Sequence, residues 1–345
     1  SSAGPFIEEF EKKIATYAEC EFSVATANAT SGLYLSLIVA GVKPGDYVIV
    51  PDWTFSATAN AVLMAGAIPY FVDIDIKTWN IDVNLVEKVI SKEGKKITAV
   101  IAVHALGHPA DMYKLRKICD KFNVLVIEDA AAAIGSKYYG KSVGQFGDLG
   151  VFSFNGNKTL TAGAGGMIVT NSQKWAALAK KISSQGKMGD KYNYDTVGFN
   201  FKMSNLNAAV GLAQLERLDK MVRNKHTIAE QYDKAIHSRK DLVAMPRNSE
   251  AESNCWLYSV LTASDKDAKL LINYLNENGV EAKLFWESLS KQKLYEKYPK
   301  YLVGVTDSID QSLVSLPSSS NLGHEALQYV ISLIDSWEGK PLIYG

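Results

Sequence analysis

Little in this sequence speaks for a metal, a membrane or nucleic acid. It has three cysteines, Cys20, Cys119 and Cys255, far apart and without the CxxC spacing of zinc or redox sites. They are expected to be small free thiols in a reducing compartment, and no metal site is expected. No stretch approaches the ~18 continuous apolar residues of a membrane span, and the first residues lack a signal-peptide pattern. A cytoplasmic protein without a membrane partner is the expectation. The chain opens at Ser1 rather than methionine, which points to a trimmed N-terminus. Lys plus Arg (37) balances Asp plus Glu (37), so no overall positive field would gather nucleic acid. Any anionic ligand must be held by local groups. Internal repeats and low-complexity tracts are absent too.

What is present is an ordinary globular chain of 345 residues, 47% hydrophobic and 21% charged, long enough for one large domain and a smaller partner. Phe6, Phe10, Ile14 and Tyr17 fall on one face of an opening helix, with Glu8, Glu9, Lys12 and Lys13 largely on the other. Short apolar runs follow at Tyr47–Val50, Tyr70–Val72, Ile97–Val103 and Val124–Ile127, separated by helical stretches. Further strands are expected at Leu149–Ser153 and Met167–Thr170. That alternation predicts an α/β domain with a mostly parallel central sheet. Ser204 is a plausible N-cap for a long linker helix running through Leu206, Val210 and Ala213 toward about Lys225. Beyond it the pattern changes to a strand at Trp256–Leu261, a helix at Asp265–Glu277, a strand at Glu281–Phe285 and a last helix at His324–Trp337. We therefore expect a large domain over residues 1–238, linker helix included, and a small α+β domain over 239–345.

Four segments carry candidate chemistry. Val124-Leu-Val-Ile-Glu-Asp-Ala-Ala ends a buried strand on Glu128 and Asp129, where ligands of open α/β sheets bind. A solvated strand end explains the two acids as well as a functional carboxylate does. Val151-Phe-Ser-Phe-Asn-Gly-Asn-Lys158-Thr-Leu-Thr-Ala-Gly-Ala-Gly-Gly sets a lysine between an apolar strand and a glycine-rich turn. A lone lysine reads as a surface residue, but this setting favours a desolvated amine with a lowered pKa, hence a nucleophile. Thr26-Ala-Asn-Ala-Thr-Ser-Gly places small polar residues before a helix over Gly32–Ala40, a turn that can hold phosphate but is common without one. Pro51-Asp-Trp-Thr-Phe55-Ser-Ala-Thr puts Trp53 and Phe55 after a strand, where core packing is the plainer account.

In order and spacing these segments resemble the nucleotide-sugar aminotransferases of pyridoxal 5′-phosphate (PLP) fold type I, the family that includes perosamine synthase. The resemblance extends through Gly4-Pro-Phe-Ile-Glu-Glu-Phe-Glu, Val103-His-Ala-Leu-Gly-His-Pro-Ala-Asp-Met, Gly198-Phe-Asn-Phe-Lys-Met-Ser and Gly211-Leu-Ala-Gln-Leu-Glu-Arg-Leu. It continues to Phe285-Trp-Glu-Ser-Leu and Ser315-Leu-Pro-Ser-Ser, and so covers nearly the whole chain. It implies that Lys158 joins the cofactor aldehyde and then shuttles the proton, while Asp129 keeps the pyridine nitrogen protonated. It further implies that Phe55 stacks on the ring, that Thr30 and Ser31 hold the phosphate by backbone N–H or hydroxyl together with Ser153, and that Asn200 reaches it across a homodimer interface.

The implied substrates are an amino-acid donor, expected to be glutamate, and a nucleotide-linked keto sugar, expected to be a 4-keto-6-deoxyhexose. Three positions depart from the family pattern: Ala29 where glycine is common, Ala132 where a polar or acidic side chain often lies near the ring, and Ala164 where glutamate is common. The first is tolerable if φ there is negative. Lys187, Lys191 and Lys202 could meet a diphosphate but read more readily as solvated surface lysines. The alternatives are a PLP-dependent sugar 3-dehydratase, against which Lys158 argues because that relative carries histidine there, a 3-amino-sugar or cyclitol aminotransferase, and a non-catalytic PLP-fold regulator.

Overall fold

The computed structural model describes residues 4–187 and 192–342. Eight strands form the main sheet: β1 (Phe22–Thr26), β2 (Tyr47–Pro51), β3 (Ile68–Val72), β4 (Ile97–Val103), β5 (Leu125–Asp129), β6 (Leu149–Ser153), β7 (Gly166–Thr170) and a short β11 (Lys300–Tyr301). Their spatial order is β1-β7-β6-β5-β4-β2-β3-β11. The pairs from β6 through β11 are parallel, whereas β7 runs antiparallel to both β6 and β1. The strands are apolar on both faces because helices cover both, as parallel sheets require. Each expected large-domain strand is present, with ends shifted by up to two residues.

The helices that matter for the site are α1 (Pro5–Tyr17), α2 (Ala29–Val39), α3 (Ser56–Met64), α4 (Val83–Glu93), α5 (Met112–Phe122) and α6 (Gln173–Ser183). Side chains of Asn28, Asp82, Asp111 and Ser172 accept the first free N–H groups of α2, α4, α5 and α6, so the start of each is written locally. On α1 the buried face is Ile7, Phe10, Ile14 and Ala15, and Phe6 is exposed. The apolar stripe is thus turned by one residue from the expected one. Residue 7 meets the core because α1 packs on α7 (Asn205–Leu215), where a side chain at Gly211 would strike Phe10.

The expected single linker helix is two helices. Ser204 caps α7 by accepting the Asn207 N–H, and α8 (Leu218–Ile236) follows after a break at Glu216 and Arg217, where the Arg217 N–H bonds three residues back to Gln214. Of the remaining strands, β8 (Leu242–Ala244), β9 (Tyr258–Thr262), β10 (Lys283–Leu284) and β12 (Leu313–Leu316) make a second, antiparallel sheet in the order β8-β9-β12-β10, and the short strands Lys137–Tyr138, Lys141–Ser142 and Ala251–Glu252 make a third. It shares an apolar cluster with α8, α9 (Asp265–Glu277) and α10 (His324–Ser336). Two buried aspartates at the ends of β2 and β3 tie this part back to the main sheet. Asp52 accepts from Ser288 Oγ (2.5 Å) and Ser290 N (2.8 Å), and Asp73 accepts the backbone N–H groups of Val303, Gly304, Val305 and Thr306. Among the described residues no helix is long and apolar enough to cross a membrane.

Candidate active site

The two acids at the end of β5 point to opposite faces of the sheet, as successive strand residues must. Glu128 is saturated: its carboxylate accepts from His104 Nε2 (2.9 Å), Gly144 N (2.8 Å) and Gly147 N (2.6 Å). His104 Nδ1 in turn accepts the Ala110 N–H at 3.1 Å, which leaves its proton on Nε2. Glu128 is therefore spent on holding loops. Among the described residues Asp129 has two donors, Thr58 Oγ1 on Oδ2 (2.8 Å) and Ala131 N on Oδ1 (3.2 Å), and it is buried. Burial raises its pKa, against the lowering effects of those hydrogen bonds and of Lys158 and His104. A buried carboxylate with spare lone pairs is suited to a cationic N–H partner.

Lys158 lies on the loop between β6 and β7, in a turn closed by its own N–H to the Asn155 carbonyl (3.0 Å). Its Nζ sits 3.6 Å from the ring centroid of Trp256, and among the described residues it has no hydrogen-bond partner. Burial lowers its pKa to about 8, with the charge of Asp129 opposing. Trp256 reaches the same loop twice, because its indole N–H also donates to the Asn157 carbonyl at 2.7 Å. Neither Trp256 nor Thr58 was singled out in the sequence. Thr58 stands one turn after Phe55 on α3, a spacing that could have marked it; Trp256 is remote in sequence and carried no local signal.

The small polar turn and Ser153 meet through Gly166. That residue pairs with Thr26 on one side and Ser153 on the other, and a Cβ on it would lie within 2.8 Å of the Asn28 and Ala29 backbone. Only glycine lets the start of α2 approach the sheet so closely. Helix α2 begins at Ala29, three residues earlier than expected, because Asn28 caps it by accepting the Ser31 N–H at 2.8 Å. The Ser31 N–H is thereby taken, which leaves that residue only its hydroxyl for a ligand. Ala29 is helical and not among the positive-φ residues, so alanine is unstrained there.

Phe55 stands at the start of α3 with 58% of its surface exposed, whereas Trp53 is in the core and donates its indole N–H to the Trp286 carbonyl. Core packing thus explains Trp53 and not Phe55. Residues 199–202 run beside the end of β1, with Ala27 N bonded to Phe201 O. Phe199 and Phe201 stack on each other and against Tyr34, which turns the intervening Asn200 outward and leaves it exposed. Ala132 is buried, and its carbonyl accepts from Asn254 Nδ2; Ala164 is exposed. Lys187 lies over the ring of Tyr192, Lys202 is exposed, and Lys191 falls outside the described residues. Among the described residues no group of three or more His, Cys, Asp or Glu side chains could hold a metal ion.

A family model described as the DegT/DnrJ/EryC1/StrS aminotransferase family matches residues 1–335. The chain is 37% identical over 340 residues to GDP-perosamine synthase of Escherichia coli O157:H7, covering 98% of this chain and 91% of that protein. Its fold is similar to a DegT DnrJ EryC1 StrS aminotransferase from Brucella abortus, with TM-score 0.92, 30% identity, and 98% and 91% of the two chains covered. It is also similar to the PLP-form of a putative sugar aminotransferase, Spr1654, from Streptococcus pneumoniae, with TM-score 0.88, 25% identity, and 97% and 91% covered.

Proposed function

The chain belongs to the DegT/DnrJ/EryC1/StrS aminotransferase family, and from that membership we propose that its acceptor is a nucleotide-linked 4-keto-6-deoxyhexose, aminated at C4 with glutamate as donor. It is a PLP-dependent aminotransferase that transfers an amino group to a nucleotide-linked keto sugar. The observation that carries the reading is the pair at the sheet end. One lysine amine of lowered pKa and one under-bonded buried carboxylate lie close enough for each to perturb the other's pKa.

The residues present fit the cofactor. Asp129 offers a buried carboxylate for the pyridine N–H, Phe55 an exposed ring for its face, and Thr30, the Ser31 hydroxyl and Ser153 flank the cradle left open at Gly166. PLP, when bound, supplies the electron sink that makes the donor α-proton acidic. Lys158 Nζ, neutral in part near pH 8, would take that proton as base and give it back as acid. Asp129 would hold the ring N–H of the bound cofactor. A cavity of about 440 Å³ opens beside Lys158, lined by Thr159, Thr161, Arg217, Lys220 and Asn224 among others and by no carboxylate, which suits a diphosphate. Binding energy from that remote nucleotide would orient the keto carbon.

The outward-facing Asn200 supports a homodimer with shared sites, in which it completes the neighbouring subunit's phosphate contact. The antiparallel sheet of β8, β9, β12 and β10 supports a division near residue 238, across which Lys300–Tyr301 joins the main sheet and Ala251–Glu252 pairs with Lys137–Tyr138. A cytoplasmic location accords with sugar-nucleotide metabolism. The test is a panel of GDP-, UDP- and dTDP-linked keto sugars assayed with glutamate. The reading expects a 4-keto-6-deoxyhexose to be preferred; equal turnover of the free keto sugar, a simple 2-keto acid or an inosose would overturn it.

A further inference from the structure

Trp256 holds Lys158 at both ends. Its ring face lies under the amine, 3.6 Å from Nζ to centroid, and its indole N–H fixes the carbonyl of Asn157, the residue immediately before the lysine. The indole is itself immobilised. It is 5% exposed, its backbone N–H donates to Asn254 Oδ1 (2.9 Å), and its carbonyl accepts from Lys225 Nζ (2.9 Å). Asn254 is anchored to the carbonyls of Ala132 and Ile134, just past Asp129, so the ring is referenced to the sheet end that carries the carboxylate. Cys255 adopts φ 50°, a conformation that costs a non-glycine residue and that this bonding imposes.

We infer that Trp256 is a positioning residue, the dock on which the Lys158 ammonium rests whenever the amine is not joined to the cofactor. The inference rests on the role proposed for Lys158. Between taking the donor α-proton and delivering it, the lysine must carry a positive charge in a site whose burial disfavours charge. Among the described residues no acceptor hydrogen-bonds to Nζ to compensate. The charged groups facing it are Asp129, whose charge acts on Lys158, and Arg217 and Lys220 across the cavity. An aromatic face attracts a desolvated cation without accepting its proton, so it stabilises the charged form yet leaves the proton free to move. A carboxylate in the same place would hold the amine protonated and withdraw it from base chemistry. Indole, with the strongest face of the natural side chains, suits the task better than phenyl.

The test uses the cofactor-free protein, with the pKa of Lys158 read from the pH dependence of pulsed acylation by an amine-directed reagent and peptide mass spectrometry. Trp256→Leu keeps apolar bulk but removes the face, and should lower the Lys158 pKa by about one unit, a tenfold change in the neutral fraction. Trp256→Phe should fall between Leu and wild type, since it keeps a weaker face. If the Leu variant does not fold by circular dichroism, the Phe variant carries the test alone and must lie below wild type. A Lys158 pKa unchanged or raised in the folded variants would overturn the dock. Wild-type turnover by Lys158→Ala would instead overturn the role of the lysine itself, and so separates the two failures.

Discussion

Two lysines flank Trp256, Lys225 buried and Lys158 half-buried, and the difference between them bears on which one is proposed to react. Burial lowers the pKa of Lys158 and of Lys225 alike, to about 8 in each. Lys225 on α8 donates to two main-chain carbonyls, Trp256 O at 2.9 Å and Ser318 O at 2.6 Å, and so closes the seam between α8 and the second sheet. Lys158 has the ring of the same tryptophan and, among the described residues, no acceptor. A depressed pKa is thus no mark of catalysis by itself. The mark is a depressed pKa on an amine whose N–H groups are unspent and whose neighbour is a carboxylate with lone pairs to spare.

The contrast is tested most strongly by exchanging the roles of loss. Lys158→Ala should lower kcat by about 10⁴-fold without lowering the melting temperature, because among the described residues the amine supports no other group. Lys225→Met should do the reverse. It strands two carbonyls, at a cost of about 2–5 kcal/mol in chemical denaturation, and the protein that remains folded should turn over normally. Loss of activity without loss of stability in Lys225→Met would break the contrast.

The same logic divides the neighbours on β5. Asp129→Asn should keep the fold and lower turnover by about 10²-fold or more, since an amide cannot hold a pyridinium proton as a carboxylate does. Glu128→Gln sets an NH₂ group against donors already fixed by His104, Gly144 and Gly147, and should cost about 1–3 kcal/mol of stability. Assays at matched folded fractions would show whether the two effects separate.

A further effect is on pH-dependent stability. Both lysines have folded pKa values near 8 against 10.5 when unfolded, so between those values the unfolded chain binds more protons and stability rises with pH. The two lysines should make the cofactor-free protein gain stability from about pH 8 toward pH 10.5, and replacing either by Met should flatten that gain. A slope equal to wild type in both variants would mean that neither amine is desolvated as described.

Much of this was legible in the sequence, for reasons that are local. The strands through Ser153 and the cap at Ser204 are written in runs of a few residues, and so are Lys158 beside its glycines and Asp129 at a strand end. What could not be read are partners distant in the chain. The choice between Glu128 and Asp129 depends on loops at 104, 144 and 147, and the amine's seat depends on a tryptophan 98 residues away from Lys158 (256 minus 158). The break at Arg217 leaves the apolar periodicity intact on both sides, so a pattern of residue types alone reads α7 and α8 as one helix. The Asn28 cap was hidden for another reason, since the same small polar residues serve a helix start with or without a phosphate.

The account stands or falls on which lysine carries the cofactor. Reduction of the cofactor-loaded protein with borohydride, followed by peptide mapping, should place the pyridoxyl label on Lys158 and leave Lys225 unmodified. A label on Lys225, or on any lysine other than Lys158, would contradict it.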